Sequence, residues 1–535
     1  MRDTEKVGHK KLVTAAIVFA VLFTAISVYS YLSPYAYFAS SDTYRDYYTV
    51  QAYLIQNKQI DQDRLYSHQP LLYYYTTIVH RLTNISVFDL MRIVLPIIFS
   101  VSLLFFYLFY RELFKNEFIA LTGAFMTVIG EQFFYELFQT RPQIFSLVIC
   151  PLVLWAYCKL YKQPSSWITL SLLIALITAL SLTHVFGVLV SIIVLGCLAL
   201  RYLFTYKRYW QWISIGMLSI ILYMITLGRN TLLASVTIMF LTIYNQNNTD
   251  LLDGIGLTLR NTLSYLGFFF TMIIAVGGIV LIIDRFRTSG RAVIPTLLIL
   301  PSCLLFLFGL TMTWLGPVLG YAVILPTRML VYLWIGAVPL LLYYLQRLPK
   351  KILRFSIIGC LLITTGFIKQ DADITDLGYI LGNETNVLQY ITEHNITNSV
   401  ILTQATSYPL FILLPSELNN VVISNRLFGT INAELDSSLT QRNTKLANEI
   451  FYADSAETAA SAIEQLIALR SIDPTKPVYI AYSLVKSYNQ QAWDSLGFRK
   501  QSLDGANLEN FDDQKYFRLM FDNNDIKLWR YVPTD

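Results

Sequence analysis

The chain has 535 residues, 55% of them hydrophobic and only 14% charged, against roughly 25% charged in a soluble domain, so a soluble globular or a disordered protein is excluded. The net charge of +5 hides a segregation: residues 1–368 hold 27 Lys+Arg against 14 Asp+Glu, and residues 369–535 hold 13 against 21. A basic excess lying beside apolar runs orients membrane spans rather than binding nucleic acid, and the five cysteines (Cys150, Cys158, Cys197, Cys303, Cys360) sit in apolar runs with neither disulfide nor metal spacing.

The first apolar run, Leu12–Leu32, exceeds the about 7–15 residues of a signal-peptide core and predicts an uncleaved first span. A helix needs about 20 apolar residues to cross a bilayer core, because it must satisfy its own backbone hydrogen bonds. Further runs of that kind lie near 89–110, 117–138, 143–161, 166–185, 186–205, 210–228, 262–283, 292–314, 326–345 and 352–368. The predicted fold is therefore a polytopic α-helical membrane domain of about eleven spans over residues 1–368, followed by a soluble α/β domain over 369–535. A long Tyr-rich loop, 33–86, follows the first span, and a short apolar segment, Leu232–Tyr244, suggests a re-entrant or interfacial helix. Cations cluster in alternate loops: Lys6, Lys10 and Lys11; Arg111 and Lys115; Lys159 and Lys162; Arg201, Lys207 and Arg208; Arg285, Arg287 and Arg291; Arg347, Lys350, Lys351 and Arg354. By the positive-inside rule the N-terminus is cytoplasmic and the tail extracytoplasmic, with the plasma membrane the expected location.

In the tail, Asn383–His394, Glu457–Leu469 and Ser487–Leu496 read as helices, and Ser399–Thr403, Val421–Ser424 and Val478–Tyr482 as strands. Tyr516–Val532 reads as a hairpin turning at Asp522-Asn523-Asn524-Asp525.

Chemistry concentrates just after the first span, in Ser40-Ser41-Asp42-Thr43-Tyr44-Arg45-Asp46-Tyr47-Tyr48. If Ser41 caps a short helix, Asp42 and Asp46 share one face at i, i+4. Carboxylates so placed accept a proton or hold a divalent cation (Mg or Mn) through oxygen; the competing reading is a solvated helix with Asp46 paired to an arginine.

One long span, then an acidic Tyr-rich stretch, then Tyr66-Ser67-His68-Gln69-Pro70-Leu71-Leu72-Tyr73, then span after span resembles the GT-C superfamily of membrane glycosyltransferases. These use polyprenyl-phosphate or polyprenyl-diphosphate sugar donors, and they include oligosaccharyltransferase catalytic subunits, protein O-mannosyltransferases and aminoarabinose transferases. The resemblance implies that Asp42 is the catalytic base or metal ligand, with Asp46 beside it where several members have His. Glu131–Arg141 lies where the superfamily places a second acidic motif, so Glu131 and Glu136 are secondary candidates with His184 of Leu182-Thr183-His184 and His68. Arg328 of Pro326-Thr327-Arg328 stands where relatives bind the donor phosphate, and Arg141 is a second such candidate. Read alone, the acids are headgroup-level residues, His184 is an interface histidine, and both arginines are snorkelling anchors. The Trp-Trp-Asp signature of oligosaccharyltransferases is absent from the tail, which counts against transfer to asparagine.

The implied activity is inverting transfer of a sugar from a polyprenyl-phosphate carrier to a protein, lipid or glycan acceptor at the outer face. A transporter or flippase is the first rival, and it would place ionisable residues or broken helices at mid-membrane. A non-catalytic scaffold of envelope assembly is the second.

Overall fold

The apolar runs fold as helices in the computed structural model. It describes residues 2–32, 43, 46–47, 50, 71–137, 140–163, 166–205, 277, 279, 283, 293–310, 326–347, 385–403, 414, 418, 420–424, 446, 449–484 and 507–533. The chain divides into two units, Met1–Ala36 with Thr49–Ala372, and Tyr37–Tyr48 with Asp373–Asp535.

In the first unit α1 spans Arg2–Leu32, α2 Leu71–Thr83, α3 Val87–Phe114, α4 Glu117–Ile129, α5 Glu131–Leu137 and α6 Pro142–Lys162. Then come α7 at Trp167–Ser181, α8 at Val185–Thr205, α9 at Val293–Leu310 and α10 at Pro326–Arg347. Eight of the eleven predicted runs thus carry a described helix. Those near 210–228 and 352–368 lie outside the described residues, as does 262–283 apart from three isolated helical positions. Among the described residues, α3 and α6 are long and apolar enough to cross a membrane, and shorter apolar helices accompany them.

Local chemistry sets the helix ends. Lys115 adopts the left-handed conformation (φ 54°) that closes α3, and the Asn116 side chain then accepts from Ile119 N at 3.1 Å to open α4. Ser166 does the same for α7, accepting from Thr169 N at 3.3 Å. Helices α9 and α10 touch at backbone level: a Cβ on Gly309 would lie 2.7 Å from Leu333 Cα, and one on Gly336 would lie 2.7 Å from Ser302 O. Small residues permit such crossings where lipid supplies no hydrophobic drive for helices to associate.

Helix α2 falls inside the stretch 33–86, which the sequence reading treats as a loop. Its buried face is Leu72, Tyr73, Thr76 and Thr77. Both threonine hydroxyls donate to carbonyls one turn back, Leu72 O and Tyr73 O, at 2.9 Å. The polar atoms are satisfied within the helix, so the threonines bury as if apolar. The Leu232–Tyr244 segment and the Ser487–Leu496 helix lie outside the described residues.

The cations predicted for three loops gather at one end of this unit. Lys162 lies 2.8 Å from Glu112 and Lys159 3.9 Å from it, while Arg111 pairs with Glu117 at 3.0 Å. The Arg201 guanidinium sits 3.8 Å from the Tyr161 ring centre.

The second unit carries a five-stranded sheet of order β2-β1-β3-β5-β4. Its elements are α11 (Asn386–Glu393), β1 (Val400–Thr403), β2 (Val421–Ser424), α12 (Ala456–Leu469), β3 (Val478–Ser483), β4 (Phe517–Asp522) and β5 (Ile526–Tyr531). Strand β1 pairs in parallel with β2 and β3, and β5 pairs antiparallel with β3 and β4. The predicted hairpin is β4–β5, turning at Asn523–Asp525. Side chains alternate across the sheet: Val400, Leu402, Ile480 and Trp529 pack with α12, and Ile401, Tyr479, Ala481 and Leu528 pack with α11. Helix α12 begins at Ser455, whose hydroxyl accepts from Thr458 N at 3.2 Å.

Candidate functional site at the amino ends of three helices

Helix α4 ends at Gly130, where a side chain would collide with the Trp334 indole of α10. That indole Nε1 donates to Met126 O and Thr127 O, both at 3.2 Å. These are among the last carbonyls of α4; Met126 O also accepts from Gly130 N at 3.1 Å, and Trp334 adds a donor to both from a neighbouring helix. The short helix α5 follows, and Thr140 before α6 is pinned by its Oγ1 donating to Met91 O of α3 at 2.5 Å. Arg141 then stands in extended conformation at the start of α6, with Pro142 in the first helical position.

These constraints bring Glu136 and Arg141 together. Arg141 Nη2 donates to both Glu136 oxygens at 2.6 Å, and the residues are only 1% and 5% exposed. Buried charges of opposite sign stay buried only when paired this closely. Gln143 and Ser146, on the first turns of α6, are buried beside them. Tyr332 of α10 is fully buried and lies within electrostatic reach of both Glu136 and Arg141.

Tyr332 stands four residues after Arg328, so the two share a face of α10 one turn apart. Arg328 occupies the first turn of that helix, and α10 packs against α4 and α5. His184 is 8% exposed and opens α8: its carbonyl accepts from Gly187 N at 2.8 Å and Val188 N at 3.3 Å. The turn before it meets α2, whose Leu71 N donates to Leu182 O at 3.5 Å. Helices α6, α8 and α10 therefore all begin at this end of the unit, while α4 and α7 end there. The basic cluster of Arg111, Lys159, Lys162 and Arg201 lies at the other end of the unit, at the carboxyl ends of α3, α6 and α8. Helix amino termini favour an anion, and α6, α8 and α10 begin at this end.

Of the predicted residues, Glu136 and Arg141 are in contact, and His184 and the backbone of Arg328 lie at the same end of the unit. Glu131 is the first residue of α5. Asp46 is helical, fully buried and part of the second unit, while Asp42 and His68 lie outside the described residues. Among the described residues, no three His, Cys, Asp or Glu side chains gather as a metal site would require. Sequence reasoning missed Tyr332 and Trp334; the i, i+4 spacing from Arg328 to Tyr332 was the available signal, while the Trp334 cap is a contact between distant helices.

No protein-family model matches the sequence, and no curated protein does. Solved structures do match in fold. The Archaeoglobus fulgidus oligosaccharyltransferase in its apo form aligns over 95% of this chain and 73% of its own, at 13% identity and a TM-score of 0.60. The archaeal oligosaccharyltransferase AglB of the same organism, in complex with an inhibitory peptide and a dolichol-phosphate, aligns over 98% and 74%, at 13% identity and a TM-score of 0.58. The arabinofuranosyltransferase AftD from Mycobacteria aligns over 98% of this chain but 40% of its own, at 11% identity and a TM-score of 0.53. These are glycosyltransferases of the GT-C superfamily, and the chain shares their fold.

Proposed function

Taking the GT-C fold as premise, we propose that the chain is a membrane glycosyltransferase that moves a sugar from a polyprenyl-phosphate carrier to an acceptor at the outer membrane face. The observation that carries this reading is the buried Arg141–Glu136 pair, at the end of the unit where α6, α8 and α10 present their amino termini. A phosphate leaving group gathers negative charge as its bond to the sugar breaks, and pre-oriented cations and dipoles stabilise that charge without reorganising. Arg328, in the first turn of α10, and Arg141 bind the carrier phosphate. The neighbour solved with a dolichol-phosphate supports a lipid carrier of this kind.

Asp42 takes the proton of the acceptor hydroxyl, or holds a divalent cation, and Asp46 assists it. The acceptor oxygen bonds to the anomeric carbon as the carbon–phosphate oxygen bond breaks, so the electron pair leaves on the phosphate. A single displacement inverts the configuration. The unit built on the five-stranded sheet contributes to acceptor recognition.

Single-turnover rates and donor titrations of Asp42→Asn, Arg328→Ala and Arg328→Lys test this assignment, each variant first shown monodisperse in detergent. Asp42→Asn keeps the shape without the basicity and should slow turnover by about 10²–10⁴-fold with donor affinity nearly intact. Arg328→Ala should weaken donor binding as well as rate, with Arg328→Lys between, because lysine cannot reproduce the two-pronged contact. Near-normal turnover in Asp42→Asn would remove the catalytic assignment, and unchanged donor affinity in Arg328→Ala would leave that arginine an interfacial anchor.

A further inference from the structure

Glu136 is the resting counter-ion of Arg141, and we propose that the carrier phosphate takes its place when the donor binds. The inference rests on Arg141 being a phosphate ligand, as proposed above, and assigns Glu136 a positioning role rather than a metal-binding one.

Both Glu136 oxygens lie 2.6 Å from the same Arg141 nitrogen, Nη2, so the carboxylate faces the guanidinium with its whole charge. A buried guanidinium without a counter-charge is strongly disfavoured, and Glu136 supplies that charge in the unliganded site. A phosphate arriving at the same guanidinium supplies that charge instead, and it meets repulsion for as long as Glu136 stays.

The surrounding structure allows the exchange. Arg141 is fixed from behind: it precedes Pro142 at the start of a 21-residue helix, and the neighbouring Thr140 is tied to Met91 O. Glu136 sits on a helix of only seven residues that begins after Gly130. The cation is therefore on the rigid element and the carboxylate on the short one. Tyr332, buried within reach of both charges, links this exchange to α10, whose first turn carries Arg328. Donor binding is then selective for anions strong enough to displace a carboxylate, which favours a phosphate over neutral lipids.

The test is binding of sugar-free polyprenyl phosphate to the detergent-solubilised full chain, read by affinity and by ligand-dependent rise in melting temperature. Glu136→Gln removes the competing charge and keeps the shape. It should melt below wild type when unliganded, bind the phosphate about tenfold more tightly or better, and gain more stability from it. A role confined to holding Arg141 in place predicts weaker binding instead, and equal or weaker binding overturns the exchange. Glu136→Gln with Arg141→Gln removes both charges and should bind more weakly than wild type. If that double variant binds as wild type does, Arg141 is no phosphate ligand and the underlying reading fails as well. If it weakens while Glu136→Gln does not tighten, the exchange alone fails. Should Glu136→Gln not fold, difference infrared spectra of wild type with and without polyprenyl phosphate decide the matter. A carboxylate band that moves on binding, assigned by its shift in Glu136→Asp, is expected; a silent carboxylate region overturns the proposal.

Discussion

Trp334 shows how a single side chain holds the candidate site in shape. Its indole donates to Met126 O and Thr127 O at 3.2 Å, joining α10, which carries Arg328 and Tyr332, to the helix that leads into Glu136. Trp334→Phe keeps the ring packing and removes the indole donor from both carbonyls, with Gly130 N still bonded to Met126 O, so it should cost about 1 kcal/mol, read as a lower melting temperature in detergent. Because α4 and α10 flank the pair, the same variant should weaken polyprenyl-phosphate binding. The residues at this site were legible in different degrees. Glu136 could be singled out because charge at the end of an apolar run is costly and therefore informative, whereas Arg141, His184 and Arg328 stood out through the resemblance to GT-C glycosyltransferases. Nothing in the sequence said that Glu136 and Arg141 touch, since that depends on the turn pinned by Thr140 on α3.

Two pairings show how elements are locked together. At the α9–α10 crossing, a Cβ on Gly336 would meet Ser302 O at 2.7 Å, and backbone cannot yield as a side chain can. Gly336→Ala should therefore destabilise by roughly 1–3 kcal/mol, seen as an earlier thermal unfolding transition. In the sheet unit, Tyr531 of β5 donates its hydroxyl to Glu464 of α12 at 2.7 Å. Burial, and then this hydrogen bond, raise the Tyr531 pKa above its ordinary 10.0. The sign follows: a group whose pKa is raised on folding stabilises below its unfolded pKa and loses that contribution as pH rises past it. Unfolding of the chain followed by a tryptophan signal from Trp529 should thus show stability falling above about pH 10, and Tyr531→Phe should flatten that fall while costing about 1 kcal/mol at neutral pH. Most elements were readable, because strands buried on both faces and spans of uniform apolarity leave continuous apolar runs of different length. Helix α2 was not, because its buried face includes Thr76 and Thr77, which count as polar in a pattern although their hydroxyls bond within the helix.

At the scale of the molecule, charge describes the architecture best. The cations of separate loops converge at one end of the first unit, around Glu112 and Glu117, and the other end holds the Glu136–Arg141 pair. By the positive-inside rule we propose that the first end faces the cytoplasm. In a variant lacking native cysteines, Ser461→Cys, exposed on α12, should react with a membrane-impermeant maleimide in intact cells, and Lys207→Cys should not. The reverse labelling would turn the protein over and put the proposed site on the wrong side. Composition changes near residue 369, and the second unit resumes at Asp373. Composition could not announce that Tyr37–Tyr48 belongs to that unit too, because grouping across more than three hundred residues leaves no local trace.

That grouping bears on how such a protein can be inherited or re-engineered. The chain passes from one unit to the other at Ala36–Tyr37, returns at Tyr48–Thr49 and leaves again at Ala372–Asp373. The second unit is therefore no removable cassette: a crossover after residue 372 would exchange its C-terminal bulk and leave its other piece, with Asp42 and Asp46, matched to the parent that was discarded. Chimeras between distant members of the fold should recover activity when residues 37–48 travel together with 373–535, and stay impaired when either moves alone.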